Sequence, residues 1–458
     1  MATVLERFAG YAAALGEAPL PAEVLHHARR CVLDWFAAAI PGGVEPPATL
    51  LAQAFAEELD HGGAALVPSG RRATARAAAL INGAASHTIE FDDIFRDAIY
   101  HPGVVTVPAA LALAQSRGAS GAALLRAVIA GYEVGTRIGA AVVPAHYEFW
   151  HTTGTVGCFG AAAAASAVLR LDATRTAHAL ANAGTLAAGL QQAFRADCMS
   201  KPMHAGHAAE IGVTTALAAE QGLTGALDLL EGERGFGVAM SRGVDWEAAL
   251  ATLGTRFNIV STSQKNHAAC GHAHAAIDAV LALREKHGLT PERVARITAK
   301  TYRAALEVAG NRDPRTVFES KFSLPYCLAA ALAVGSVRVD AFAEARLRDP
   351  AIRRLVTRVS LEVEPKLDAA FPKRRAAIVE IETVDGERLL HYAPTRKGDP
   401  DSPLSDAELR AKASELIAPV LGPNATTALI DKLWRISEIV DLSQILPVRT
   451  APLLGAAQ

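Results

Sequence analysis

From about Leu5 to Arg242 apolar residues recur at helical spacing between short glycine and proline breaks, and no convincing alternating strand interrupts them. A chain patterned this way must bury its helices against one another. Ser120 is placed to cap one in which Leu124, Leu125, Val128, Ile129, Tyr132 and Ile138 share a face, while Gly131, Gly135 and Gly139 leave room for a neighbour. Asp172 precedes a similar run through Leu180, Leu186 and Leu190. Aromatic residues are only 5% of a chain that is 51% hydrophobic, so alanine, leucine and valine must fill the core, as in closely packed helical proteins.

The texture changes after Lys265. A helix from about His274 to Lys286 ends at Gly288, and β-formers mixed with charges follow over Val294 to Tyr302. Val379, Glu380, Ile381 and Glu382 alternate strictly, and Asp385-Gly386 is a strong hairpin signal before Arg388 to Tyr392. Pro394 to Pro403 reads as a linker, after which Ser405 is placed to cap a helix carrying Leu409, Leu416, Ile417 and Val420. With 458 residues the chain exceeds one ordinary core. The expected fold is mostly α: a large all-α helical domain built from residues 1–262 and 398–458, with a smaller α+β lid domain, residues 263–397, inserted between them.

A net charge of −2 without any long basic block removes the electrostatic footprint of a nucleic-acid or membrane-surface binder, so a substrate anion must be met by local charge. The five cysteines are odd in number and widely spread, which suits reduced thiols in a cytoplasm. Met1 to Arg7 lacks the regions of a signal peptide, and the alanine-rich run Cys158 to Leu169 falls short of the ~20 residues that span a bilayer. A cytoplasmic location is expected.

Charge stands where packing would exclude it in Ser200-Lys201-Pro202-Met203-His204-Ala205-Gly206, at a proline break between alanine-rich helical segments. A buried lysine persists only when paired or functional, and both a salt bridge to an upstream acid and an anion-binding role fit Lys201. Upstream, Glu90, Asp92 and Asp93 form an acidic cluster followed by His101, the pairing of acid and imidazole used to move protons, or else a solvated helix end. His151, before Thr152-Thr153-Gly154, is set to face an anion together with the first N–H groups of the next helix, or to pack against a carbonyl. Arg195 offers a carboxylate clamp or a surface ion pair. Lys265 repeats the logic of Lys201. Tyr326 is either an acid or a core tyrosine. His267, His272 and His274 with Cys270 bring zinc to mind, but neither His-Glu-x-x-His nor paired Cys-x-x-Cys motifs occur, and no metal is expected. No nucleotide loop or nucleophile elbow is present, so no organic cofactor is expected either.

Glu90-Phe91-Asp92-Asp93 with His101-Pro102-Gly103, Lys201-Pro202-Met203-His204-Ala205-Gly206, Lys265 with His274-Ala275-Ala276-Ile277-Asp278, and Lys321-Phe322-Ser323 with Tyr326 occur in the order of the MmgE/PrpD family. The chain resembles that family over nearly its whole length. The resemblance implies a helical domain, a smaller α+β lid, a homodimer, no cofactor, and a site between the domains lined by His101, His151, Lys201, Lys265, Tyr326 and Glu90. Asp93, Arg195, Ile94, His267 and His274 are the expected substrate contacts. Three departures alter the pocket: Glu90 stands where the decarboxylase members carry aspartate, Ile94 where threonine is common, and His267 where an aromatic residue often follows the lysine. The implied chemistry is proton transfer next to a carboxylate of a di- or tricarboxylate, with Glu90 or Asp93 orienting a histidine and lysines neutralising carboxylates. Dehydration of the 2-methylcitrate type is the leading expectation. Decarboxylation of the cis-aconitate type, or epimerisation of the iminodisuccinate type, would use the same pocket.

Overall fold

The computed structural model describes residues 2–194, 196 and 198–446. They pack as two units, residues 1–262 with the return from Ser405 onward, and residues 263–404. The first is a helical assembly. At its centre lie helices Gly103–Ser116 and Gly157–Val168, buried on nearly every side. Their sequences are apolar all round, which is what a helix surrounded by other helices requires. Helices Ala75–Thr88, Gly121–Val142, Ala173–Thr185 and Ser200–Glu220 pack around them.

Local capping sets the starts of several of these helices. Ser120 Oγ accepts from the Ala123 N–H and Asp172 Oδ1 from the Arg175 N–H, each satisfying a donor that the helix itself cannot. The run after Asp172 is shorter than its spacing suggests: the helix stops at Thr185, and Leu186 and Leu190 fall in the exposed segment beyond. A second departure is a small two-stranded antiparallel ladder, β1 (Leu59–Ala65) with β2 (Arg72–Ala73), in the stretch that reads as helical throughout. Its strands are glycine- and alanine-rich, with Asp60 and Gly62 at positive φ, so no alternation announces them.

Helices Ala75–Thr88 and Ser200–Glu220 cross at two glycines. A Cβ on Gly206 would lie 2.2 Å from the Leu80 carbonyl oxygen, and one on Gly83 would lie 2.9 Å from Gly206 Cα. That close crossing brings His87 of the first helix into the same cluster as Lys201 and His204 of the second.

The second unit carries a four-stranded sheet in the order β4-β3-β5-β6, where β3 is Val294–Thr301, β4 Val359–Val363, β5 Ala377–Thr383 and β6 Arg388–Ala393. β3 and β4 are parallel, and the other pairs antiparallel, with Ile297 opposite Ile381 and Ile381 opposite Leu389. Ala377, Val379, Ile381 and Thr383 point into the core, and helix His274–His287 packs against β5 and β6. Gly386 at φ 88° makes the turn between those strands. Among the described residues no helix is long and apolar enough to cross a membrane.

Candidate active site

The three acids of the segment 90–93 separate onto three different partners. Glu90 accepts from the Lys201 ammonium, and both side chains are buried. Asp92 Oδ2 lies 3.0 Å from His87 Nδ1 and 2.6 Å from His101 Nδ1, so one carboxylate oxygen is shared by two imidazoles. Asp93 turns the other way, its Oδ1 accepting from the Gly103 N–H at 3.0 Å and its Oδ2 from the Tyr132 hydroxyl at 2.5 Å. Asp92 thus meets His101, whereas Asp93 faces Gly103 and Tyr132. The reason is conformational: Glu90 sits at φ 60°, in the left-handed region, and this reorients the residues that follow. Ile99, a β-branched residue at φ 46°, closes the bridge between Phe95 and Tyr100 that delivers His101. Two strained residues flanking one segment are the kind of feature that surrounding structure must hold in place.

Lys412 helps to hold it. From helix Asp406–Leu421 its fully buried ammonium donates to Asp34 Oδ1 and to the Phe91 carbonyl, each at 2.7 Å, and lies 4.3 Å from the centre of the Phe91 ring. Its one sequence signal was its place on the apolar face, three residues after Leu409 and four before Leu416. His87, equally central, carried no motif.

Asp93 carries a measurable signature. Burial, then the charge of nearby Asp34, push its carboxyl up to about 8. An unfolded aspartate titrates at about 3.9, so between those values the folded protein keeps a proton that the unfolded chain has lost. Stability must then fall as pH rises through that window, by up to about 1.4 kcal/mol per unit. Asp93→Asn preserves the shape without the titration; urea unfolding at pH 5 and pH 8 should show a smaller loss in the variant than in the parent. Equal losses would remove Asp93 as the cause.

His151 enters from the opposite side of the cluster. Its N–H donates to the Gly189 carbonyl at 2.9 Å, and Trp150 bridges Leu190, fixing the backbone on either side of Gly189. The helix that follows is a single turn, Thr152–Thr155, too short to act as the extended anion-facing terminus that the spacing suggested. The ring lies parallel to His87, with centroids 5.7 Å apart, meets Phe194 edge-on at 4.9 Å, and places Nδ1 3.2 Å from His204 Nδ1. Burial, then the neighbouring His87, Lys201, His204 and His101, hold His151 well below the usual imidazole range, so it is neutral at pH 7. Lys201 also lies 5.7 Å from the Phe194 ring centre. Ile94 is buried, and Arg195 lies outside the described residues.

In the second unit the expected residues form local pairs. His267 Nε2 is 2.8 Å from Asp278 Oδ1, and His274 Nε2 is 3.1 Å from the Ala269 carbonyl, with the two rings 5.1 Å apart. His272 Nδ1 instead meets the Tyr302 hydroxyl at 2.9 Å. These nitrogens face a carboxylate, a carbonyl and a phenol rather than a common point. Lys265 is buried, and its charge, after burial and the charges of His267 and Arg396, contributes to holding His274 well below its ordinary range. Tyr326 donates to the Ala341 carbonyl at 2.7 Å with its ring wholly buried, the arrangement of a core tyrosine.

His87, Asp92 and His101 are the one group among the described residues whose donor atoms lie close enough together to share a metal ion. The Asp92 carboxylate lies between the two rings, hydrogen-bonded to His87 and within ion-pair distance of His101. In that reading Asp92 holds both rings in place within the cluster. The first unit therefore combines a carboxylate-supported imidazole, a neutral imidazole and a buried ammonium.

Known proteins bear on what such a set is for. The chain matches the MmgE/PrpD N-terminal domain over residues 6–249 and the MmgE/PrpD C-terminal domain over residues 267–436. It is 28% identical to the cis-aconitate decarboxylase-like protein oryM of Aspergillus oryzae, over 93% of each chain. It is 30% identical to cis-aconitate decarboxylase of Homo sapiens, over 82% of this chain and 79% of that one. With the Aspergillus terreus cis-aconitate decarboxylase it shares 25% identity over 96% and 95% of the two chains. Matched by both domains in chain order, the protein belongs to the MmgE/PrpD family.

Proposed function

We propose that the protein is a cofactor-independent lyase that decarboxylates an unsaturated tricarboxylate of the cis-aconitate type. The observation that carries this reading is the shared carboxylate of Asp92, which equips His101 as an acid within the same buried cluster as Lys201. In the proposed reaction the bond from carbon to one carboxylate breaks and carbon dioxide leaves. The electron pair moves into the adjacent alkene, whose own pair shifts to the far carbon. That carbon takes the proton from His101 Nε2, and solvent restores it. The charge that develops is costly beside two remaining carboxylates unless cations offset it. Lys201 supplies one such cation, and Lys265 is proposed as a second carboxylate contact. Tyr326, held by its own unit's backbone, takes no part in the scheme.

The names of the relatives support decarboxylation over the dehydration that headed the sequence-based expectations. Dehydration of a hydroxy-tricarboxylate stays as the second reading for a specific reason. It needs one proton removed and one delivered, and the cluster holds a neutral imidazole, His151, besides the carboxylate-supported His101. The larger Glu90 and the apolar Ile94 also depart from the decarboxylase pattern. Chelator-treated protein incubated with cis-aconitate, 2-methylcitrate and citrate separates the two by product: carbon dioxide and a shorter acid, or water and an alkene. Turnover that vanishes on chelation and returns with zinc would reverse the cofactor-independent reading and return His87, Asp92 and His101 to the role of metal ligands.

A further inference from the structure

We infer that His204 is the route by which the buried imidazole of His151 exchanges its proton with solvent, a role that rests on reading His151 as a proton-handling group of the site. Two imidazoles whose Nδ1 atoms lie 3.2 Å apart can hydrogen-bond only if one ring carries the Nδ1 proton and the other does not. The pair is therefore arranged to pass a proton between opposite tautomers. It also spans a gradient of exposure: His151 is 2% exposed, whereas His204 is only half-buried on the first turns of helix Ser200–Glu220.

The contact is built rather than incidental. A Cβ on Gly154 would lie 3.0 Å from His204 Cβ, and one on Gly189 would lie 3.3 Å from both Cγ and Nδ1 of the His204 ring. Gly189 sits at φ 138°, a conformation that side chains rarely adopt, and its carbonyl is the acceptor for the His151 backbone N–H. One residue thus seats the His204 ring and fixes the His151 backbone. Burial, then the charges of His87, His207 and Lys201, bring His204 down to about 4, so both rings are neutral at pH 7 and neither traps the proton. The transfer balances in three moves. A solvent proton adds to His204 Nε2, the His204 Nδ1 proton crosses to His151 Nδ1, and His151 gives up the proton on Nε2 at its opposite edge. Run backwards, the same moves export a proton.

The test reads the His151 ring N–H directly by proton–nitrogen NMR of labelled full-length protein, without need of a substrate. His204→Phe keeps a ring in the glycine seat and removes both nitrogens. The parent signal is expected to exchange with solvent at least tenfold faster than that of the variant. In His204→Ala, added imidazole should restore fast exchange in proportion to its concentration, which a merely structural role for His204 would not produce. Equal exchange in parent and His204→Phe, in protein whose remaining spectrum is unchanged, overturns the proposal, as does exchange in His204→Ala that ignores imidazole. Failure of the parent to turn over any tricarboxylate counts against the proposed reaction, while the exchange result still decides the relay.

Discussion

Asp92→Asn is expected to fold as the parent does and to lose about 10²–10⁴-fold in kcat, the range associated with removing general acid–base assistance. The carboxylate has two simultaneous tasks, set by its contacts at 2.6 Å to His101 and 3.0 Å to His87. In the proposed scheme it orients both rings, and its charge offsets that of the protonated ring from which the product carbon takes its proton. Asparagine retains the shape but has no charge, and its amide group can present an N–H where His101 needs an acceptor. The proposed scheme assigns substrate binding to cations elsewhere, so KM should change far less than kcat. The split between kcat and KM is the decisive readout. Parental kcat in Asp92→Asn would remove Asp92 from the mechanism.

Lys412→Met is expected to cost about 3–5 kcal/mol of folding stability, the usual consequence of removing one partner from a buried ion pair. Asp34 and Lys412 are respectively 1% and 0% exposed. Burial already holds Asp34 above the ordinary carboxylate range, against the opposing pull of Lys412. Without the ammonium, Asp34 must take up a proton or stay charged without its ion partner, and the Phe91 carbonyl loses a donor. Against a typical total of 5–15 kcal/mol the loss would be severe. Urea unfolding measures it. The double variant Lys412→Met with Asp34→Leu should recover most of the stability, because removing both charges eliminates the orphan. It should not recover full turnover, since the Glu90–Asp93 segment still lacks its tether. A single variant as stable as the parent would show that the pair contributes nothing.

These two residues also mark what could be read before the structure and what could not. Ser120, Asp172 and Ser405 declared their helices because a cap acts within one turn, and Val379 to Glu382 with Asp385-Gly386 declared a hairpin because its signals are local. Ladder β1–β2 escaped because glycine and alanine carry no alternation. Within the candidate site, Glu90, His101, His151 and Lys201 are legible as unusual charge in apolar surroundings. Their pairing is not. Glu90 meets a lysine 111 positions away, and which acid turns toward His101 depends on the left-handed backbone at Glu90. His204 stands in the Lys201 motif, but His87 joins it only because two helices cross closely at Gly83 and Gly206, and spacing along the chain contains no trace of that crossing.

The most direct test of the account follows cis-aconitate by proton NMR in D₂O with metal-free protein, parent and His101→Ala side by side. The account predicts loss of one carboxylate as carbon dioxide in the parent, with one deuterium entering the carbon that receives the proton. His101→Ala should bind the substrate yet form product at least a hundredfold more slowly. Product formed by both proteins at the same rate, or a parent that is folded and leaves every tricarboxylate unchanged, would contradict it.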